Sequence, residues 1–281
     1  MILITWNVQW CRGMDGTVDP ARIAAVARSL ADFDVLCLQE VAVNFPGLSG
    51  SAGEDQRAEL AAALPGYTAI YGPATDTDDG RGNRSLFGNA IFTRLPVVQI
   101  YRHLLPWPAD ATVLSMQRMA LEAVVVAPHG PLRVVATHLE FYSANQRLAQ
   151  VEALRRLHAE ACGHARAPRV SGKPGEPFQA FVRPASAIVC GDFNFKPQDL
   201  EHSRMTATPD PGAQRLFDAW LAVHPNEPHP PTMGVFEKTW PLYCCDFAFV
   251  TEDIAAQLRD VRVDATIDAS DHQPLILELA D

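Results

Sequence analysis

The stretch from Ile188 to Pro197 reads "IVCGDFNFKP": four apolar or small residues, Gly191, then a carboxylate and a carboxamide two positions apart. Strand side chains alternate between faces with period two, so Asp192 and Asn194 share one face where the strand stops. Other apolar runs stop in the same way. Asn7 sits in "TWNVQW", Glu40 ends "VLCLQE", His138 ends "RVVATH", Asp246 interrupts "CCDFAFV", and Asp271-His272 precede "QPLILEL". Each has a bland reading: a strand edge for Asn7, a solvated strand end for Glu40, turns at Asp192 and Ser270-Asp271, a satisfied core histidine at His138. Together they describe a site, because ligands of open α/β sheets gather outside strand ends.

Strand-like and helix-like runs alternate along the chain. "ILITWNV" and "DVLCLQEV" suit buried strands. Between them "DPARIAAVARSLADF" reads as a helix, with Asp19 as cap, Pro20 at the first helical position and a stripe of Ile23, Val26, Ala27 and Leu30. "EDQRAELAAAL" is a second helix and "SANQRLAQVEALRRLHAEAC" the longest, with Ser143 and Gln146 placed as a capping box. A further helix is expected near "AQRLFDAWLAVH". "YTAIYG", "GNAIFTR", "LEAVVVAP", "LRVVATHLEF", "YCCDFAFVT" and "HQPLILEL" supply further strands. With neither a repeat nor a dividing linker, residues 1–281 read as one α/β domain with mixed sheets.

The segment from Gly163 to Ala187 breaks the alternation. It is rich in Pro and Gly, carries Arg166, Arg169, Lys173 and Arg183 against Glu176, and holds Phe178 and Phe181 near its end. Two readings stand: a basic, aromatic lid that sets substrate choice, or a disordered insertion.

The 281 residues carry 23 basic and 33 acidic side chains, a net charge of −10. That argues against broad, non-specific duplex binding through a basic surface, though a bound cation can reverse the sign locally. No run approaches the ~18 uncharged residues of a membrane helix, and no basic leader precedes the first strand. Six scattered cysteines without a CxxC pair read as reduced, buried thiols of a cytoplasmic protein.

In order, "TWNVQW", "CLQEV", "THLEF", "GDFN", "CDFAFV" and "SDHQPL" resemble the motifs of the endonuclease/exonuclease/phosphatase (deoxyribonuclease I-like) superfamily, and "FGNAIFTRLPV" is a softer match. The resemblance spans residues 4 to 275. It implies a four-layer sandwich of two mixed β-sheets flanked by helices, and metal-dependent hydrolysis of a phosphoester at one end of it. Glu40, Asn7 and Asp271 are then oxygen ligands for Mg²⁺ (or Mn²⁺), with Glu40 foremost. Asp192 is a candidate to activate water and Asn194 to orient it or bind phosphate. His272 contacts a phosphoryl oxygen, Asp246 fixes and charges His272, and His138 takes a position that binds the scissile phosphate. The proton acceptor stays open between Asp192 and His272.

"THLEF" followed by "NQRLAQ" is more similar to the branches with histidine at this position, such as sphingomyelinases, deadenylases and tyrosyl-DNA phosphodiesterases. Arg147 and Gln150 are expected to brace the site from behind His138. Arg84 and Asn89, on or after the Gly-rich "DDGRGNRSLFGN", either reach a substrate phosphate or belong to a solvated hairpin. The expected partner is a phosphoester, a nucleic acid or a small phosphodiester, met by a monomer. The alternative is a binding module that kept the fold and lost catalysis.

Overall fold

In the computed structural model, which describes every residue but 168, 210, 237–240 and 281, the first strand sets the plan. Along β1 (Ile2–Asn7) alternate residues face opposite layers: Leu3 joins the core between two sheets, while Ile4 and Trp6 pack outward with Ile23, Ala24 and Ala27 of α1 (Pro20–Leu30). Asp19 caps α1 by accepting from the Arg22 N–H, and Pro20 opens it.

The first sheet runs β11 (Leu258–Val263), β12 (Leu275–Leu279), β1, β2 (Val35–Val43), β4 (Arg84–Thr93), β3 (Thr68–Asp78). The second runs β5 (Val97–Leu104), β6 (Met119–Ala127), β7 (Gly130–His138), β8 (Ala187–Asp192), β10 (Asp246–Thr251), β9 (Leu216–Asp218). α1 and α2 (Gln56–Ala63) cover the first sheet; α3 (Ala144–Arg166) and α4 (Leu200–Met205) cover the second, and α5 (Ala219–Val223) and α6 (Glu252–Ala255) lie near its edge. This is the expected four-layer sandwich. Among the described residues no helix is long and apolar enough to cross a membrane, and all six cysteines are free and buried.

Each sheet has a single parallel pair at its middle, β1 with β2 and β7 with β8, flanked by antiparallel partners. An antiparallel neighbour begins where a parallel strand ends, so the start of β10 and the residues before β12 reach the same rim as the ends of β1, β2, β7 and β8. The register confirms it: His138 and Asp246 both lie opposite Asp192.

Three expectations are corrected. "AQRLFDAWLAVH" is not one helix: Leu216–Asp218 pairs with β10 as an edge strand, and Asp218 then caps the short α5. Ser143 caps α3, but Gln146 turns its side chain to the Pro108 carbonyl (2.7 Å) rather than back to the cap. The supposed insert is shorter, since Gly163–Arg166 continue α3 and Ala187 opens β8. It also lies away from the strand-end rim, because β8 climbs five residues, about 17 Å, from Ala187 to Asp192. Arg183 is held by Glu122 (3.0 and 3.2 Å) and Glu160 (2.5 Å).

Candidate active site

Asn7, His138 and Asp192 close β1, β7 and β8 at one cleft, whereas Glu40 does not end its strand as expected but enters the cleft from within β2, which runs on to Val43. Two of the four need special backbone. Period two along β2 would send Glu40 outward with Leu36 and Leu38. A β-bulge between Leu38 and Val41 and a left-handed Glu40 (φ 62°) turn it inward instead. On β8, Gly191 (φ 137°) lies so close to β7 that a Cβ would meet the Thr137 carbonyl oxygen at 1.9 Å. That close approach is what brings Asp192 beside His138. Asn194, also left-handed (φ 54°), closes a turn in which its N–H donates to Asp192 Oδ1 (2.9 Å).

The structure brings together Asn7, Glu40, His138, Asp192, Asn194, Asp246, Asp271 and His272. Asn7 Nδ2 donates to Glu40 Oε1 (3.1 Å) and Asp192 Oδ2 (2.9 Å), tying the two sheets together. His272 Nδ1 meets Asp246 Oδ2 at 2.8 Å, and its Nε2 lies 3.7 Å from Asp192 Oδ2. His138 Nε2 is 3.4 Å from the same oxygen, and its Nδ1 is 3.9 Å from Glu40 Oε1. Asn194 Nδ2 spends its two protons on the Leu139 carbonyl (3.0 Å) and on His138 Nε2 (3.0 Å). His138 Nε2 is therefore the acceptor, and its proton sits on Nδ1.

Charge follows from these contacts. Burial alone would lower the pKa of His272, but Asp246, Asp192 and the Asp246 hydrogen bond outweigh it and hold the ring well above the usual range. Burial, followed by the charges of Arg118 and His272, keeps His138 well below it, so that ring is neutral. Burial and then the charge of Asp246 push Asp192 up to about 7. Glu40 is raised by burial and by Asp271. Two carboxylates sharing one cavity wall is an arrangement a divalent cation relieves, and all-oxygen donors fit Mg²⁺. Asn7 contributes less directly, since its Oδ1 accepts from the Gln9 N–H (3.1 Å) and Nδ2 faces the carboxylates. Asp192, Cys245 and His272 also place ligand atoms within 4.8 Å of one another, but burial and then the charge of Asp246 hold the Cys245 thiol well above its usual range, so the set offers no thiolate.

The cavity measures about 320 Å³, and Trp10, Phe87, Met116, Phe141, Tyr142 and Tyr243 line its mouth. Sequence reasoning missed Gln9, whose Nε2 donates to Asp271 Oδ2 (2.6 Å), although it stands two residues beyond Asn7. It also missed Arg118, which lines the cavity and donates from Nε to the buried Glu140 (3.2 Å). No motif marks Arg118. Gln150 and Arg147 do brace the segment after His138, by accepting from the Glu140 N–H (2.9 Å) and donating to the Glu140 and Phe141 carbonyls (3.1 and 3.0 Å).

Arg84 and Asn89 are not brought to the cavity. Arg84 is taken up by Asp76 (2.7 Å), and Asn89 is buried, donating to the Met119 carbonyl (3.1 Å). None of the described residues of the 169–186 segment lines it either. Arg169, Phe181 and Arg183 border a different hollow, with Tyr101 and His103.

The endonuclease/exonuclease/phosphatase family model matches residues 4–272. No curated protein matches the sequence. Among solved structures, an endonuclease/exonuclease/phosphatase protein from Beutenbergia cavernae is 26% identical, with a TM-score of 0.71 over 100% of this chain and 72% of that one. One from Bacteroides vulgatus is 19% identical, with a TM-score of 0.68 over 99% and 98%. A mannosyl-6-phosphatase of Bacteroides thetaiotaomicron is 17% identical, with a TM-score of 0.63 over 100% of both chains.

Proposed function

The chain belongs to the endonuclease/exonuclease/phosphatase family, whose members are phosphoester hydrolases, and on that premise we propose that residues 1–281 act as one domain hydrolysing a small phosphodiester or phosphomonoester with Mg²⁺ or Mn²⁺. Glu40 and Asp271 would hold the ion, and Asn7 steadies Glu40 through its Nδ2. When bound, the ion supplies positive charge to the phosphoryl oxygens.

The observation that carries the reading is the His272 ring set between two carboxylates, at 2.8 Å from Asp246 and 3.7 Å from Asp192, which holds its pKa well above the usual range. Held protonated, His272 has no room for a further proton and serves as a cation against a non-bridging oxygen. The proton of the attacking water then goes to Asp192, whose pKa of about 7 suits a base working near neutrality. Asn7 and the Asn194 N–H fix that carboxylate. Neutral His138 donates from Nδ1 to the phosphate, and Asn194, its amide protons spent, retains only Oδ1 to orient the water.

Among the described residues, Arg118 is the sole Arg or Lys in the cavity lining, and Glu140 holds it. With aromatic rims and a chain charge of −10, this supports a substrate with one phosphate and an organic group over a duplex. The test is a screen of bis(4-nitrophenyl) phosphate, DNA and RNA oligonucleotides, phosphocholine esters and sugar phosphates with Mg²⁺, Mn²⁺ or EDTA. Turnover that needs the ion is expected. Tight binding of these compounds without any turnover would mean a binding module instead.

A further inference from the structure

On the outer face of the second sheet, three side chains from separate segments converge outside the catalytic cavity. They are His202 in α4, Asp218 closing β9, and His229 in the segment after α5. His202 Nε2 and His229 Nε2 lie 2.7 and 2.8 Å from the same oxygen, Asp218 Oδ2. The other oxygen, Oδ1, accepts from the Leu221 N–H (3.2 Å), which fixes the carboxylate's orientation. All three are enclosed, with side-chain exposures of 9%, 2% and 7%. Phe195, Phe247 and Phe249 pack about His202, and Trp220 and Phe247 about His229. A void of about 10 Å³ adjoins Asp218 and His229, walled also by Thr232, Cys244 and Asp246; that is about the room one water needs.

Two imidazole nitrogens and one carboxylate oxygen, in an apolar shell and all within 4.8 Å of one another, make a borderline-soft donor set. It differs in kind from the all-oxygen set at Glu40 and Asp271, and matches Zn²⁺ rather than Mg²⁺. Zn²⁺ at about 2.0–2.2 Å from each ligand would set the atoms roughly 3.3 Å apart, so the two His–Asp separations need widen by about half an ångström. We propose that His202, Asp218 and His229 form a second, structural cation site for Zn²⁺, with its fourth position at the void beside Thr232 and Cys244. The ion ties α4, β9 and the segment around His229 together on the outer face of β10. It steadies the strand whose first residue is Asp246 without touching the reacting phosphate.

The experiment uses the full-length protein, stripped with chelator and then titrated with Zn²⁺ in saturating Mg²⁺. One equivalent should bind and raise Tm by roughly 5 °C at a hundredfold excess over Kd. Co²⁺ in its place should give the visible absorption of a tetrahedral site. His229→Gln should lose both signals while hydrolysing substrate with Mg²⁺ as the stripped wild type does. Wild type that takes up no Zn²⁺ equivalent overturns the proposal. So does a signal that survives in His229→Gln, or one that disappears in His272→Ala, which would put the ion in the catalytic cavity.

Discussion

Changing Asp246 to Asn removes a charge and keeps a shape. Asp246 Oδ2 accepts from His272 Nδ1 at 2.8 Å and from Cys245 Sγ at 3.4 Å, while Oδ1 is buried with no partner. An Asn carbonyl can take over the Oδ2 contacts, so the ring keeps its place. What is lost is the difference between a charge-assisted and a neutral hydrogen bond, about 2 kcal/mol in support of the imidazolium. At 1.36 kcal/mol per decade, that is roughly 30-fold in kcat/KM. His272→Ala removes the cation itself and should cost about 10²–10³-fold. Because Asp246 acts through His272, Asp246→Asn in the His272→Ala background should cost less than about threefold more. The assay is kcat/KM for the four proteins at pH 7 in Mg²⁺, with thermal melts to confirm folding. A double variant that loses the full product of the two single effects refutes the relay.

Four further outcomes follow from the geometry. Glu40→Gln should abolish turnover and the Mg²⁺-induced rise in Tm, yet leave the metal-free protein as stable or slightly more so, because Asp271 loses a like-charged neighbour; wild-type Mg²⁺ affinity would contradict it. His158 is held down to about 4, by burial and then by Arg133, below the ~6.5 of an unfolded histidine. The unfolded chain therefore binds the proton first, and stability complete above pH 6.5 should fall by about 3 kcal/mol as pH drops toward 4. Urea midpoints should show His158→Gln lacking most of that loss. Replacing residues 170–181 by a Gly-Ser linker should leave KM and kcat unchanged, whereas Arg183→Ala should cost about 3 kcal/mol of stability by leaving the buried Glu122 short of a partner. A raised KM in the linker variant would restore the lid.

Most of the central strands are legible in the primary structure, because alternation is local: a residue's face on a strand depends on its neighbours two positions away. Hence Asp192 and Asn194 were readable as partners, and the ordered motifs named the family and the sandwich. The weaker strands escaped for the same local reason. β5 and β11 lie at sheet edges and are half exposed, with little apolar alternation to read, and β9 is a strand only because β10 lies beside it. That two sheets meet at one cleft, and that a bulge turns Glu40 into it against its period, took the assembled fold to settle. The fold also decided that Arg118 arrives from outside every motif, and that His202, Asp218 and His229 share one oxygen from three separate segments. It set which histidine is charged as well: Asp246 lies 26 residues from His272, and His138 is 54 residues from Asp192. Such protonation states come from charges and burial assembled across the fold, which no window of sequence contains.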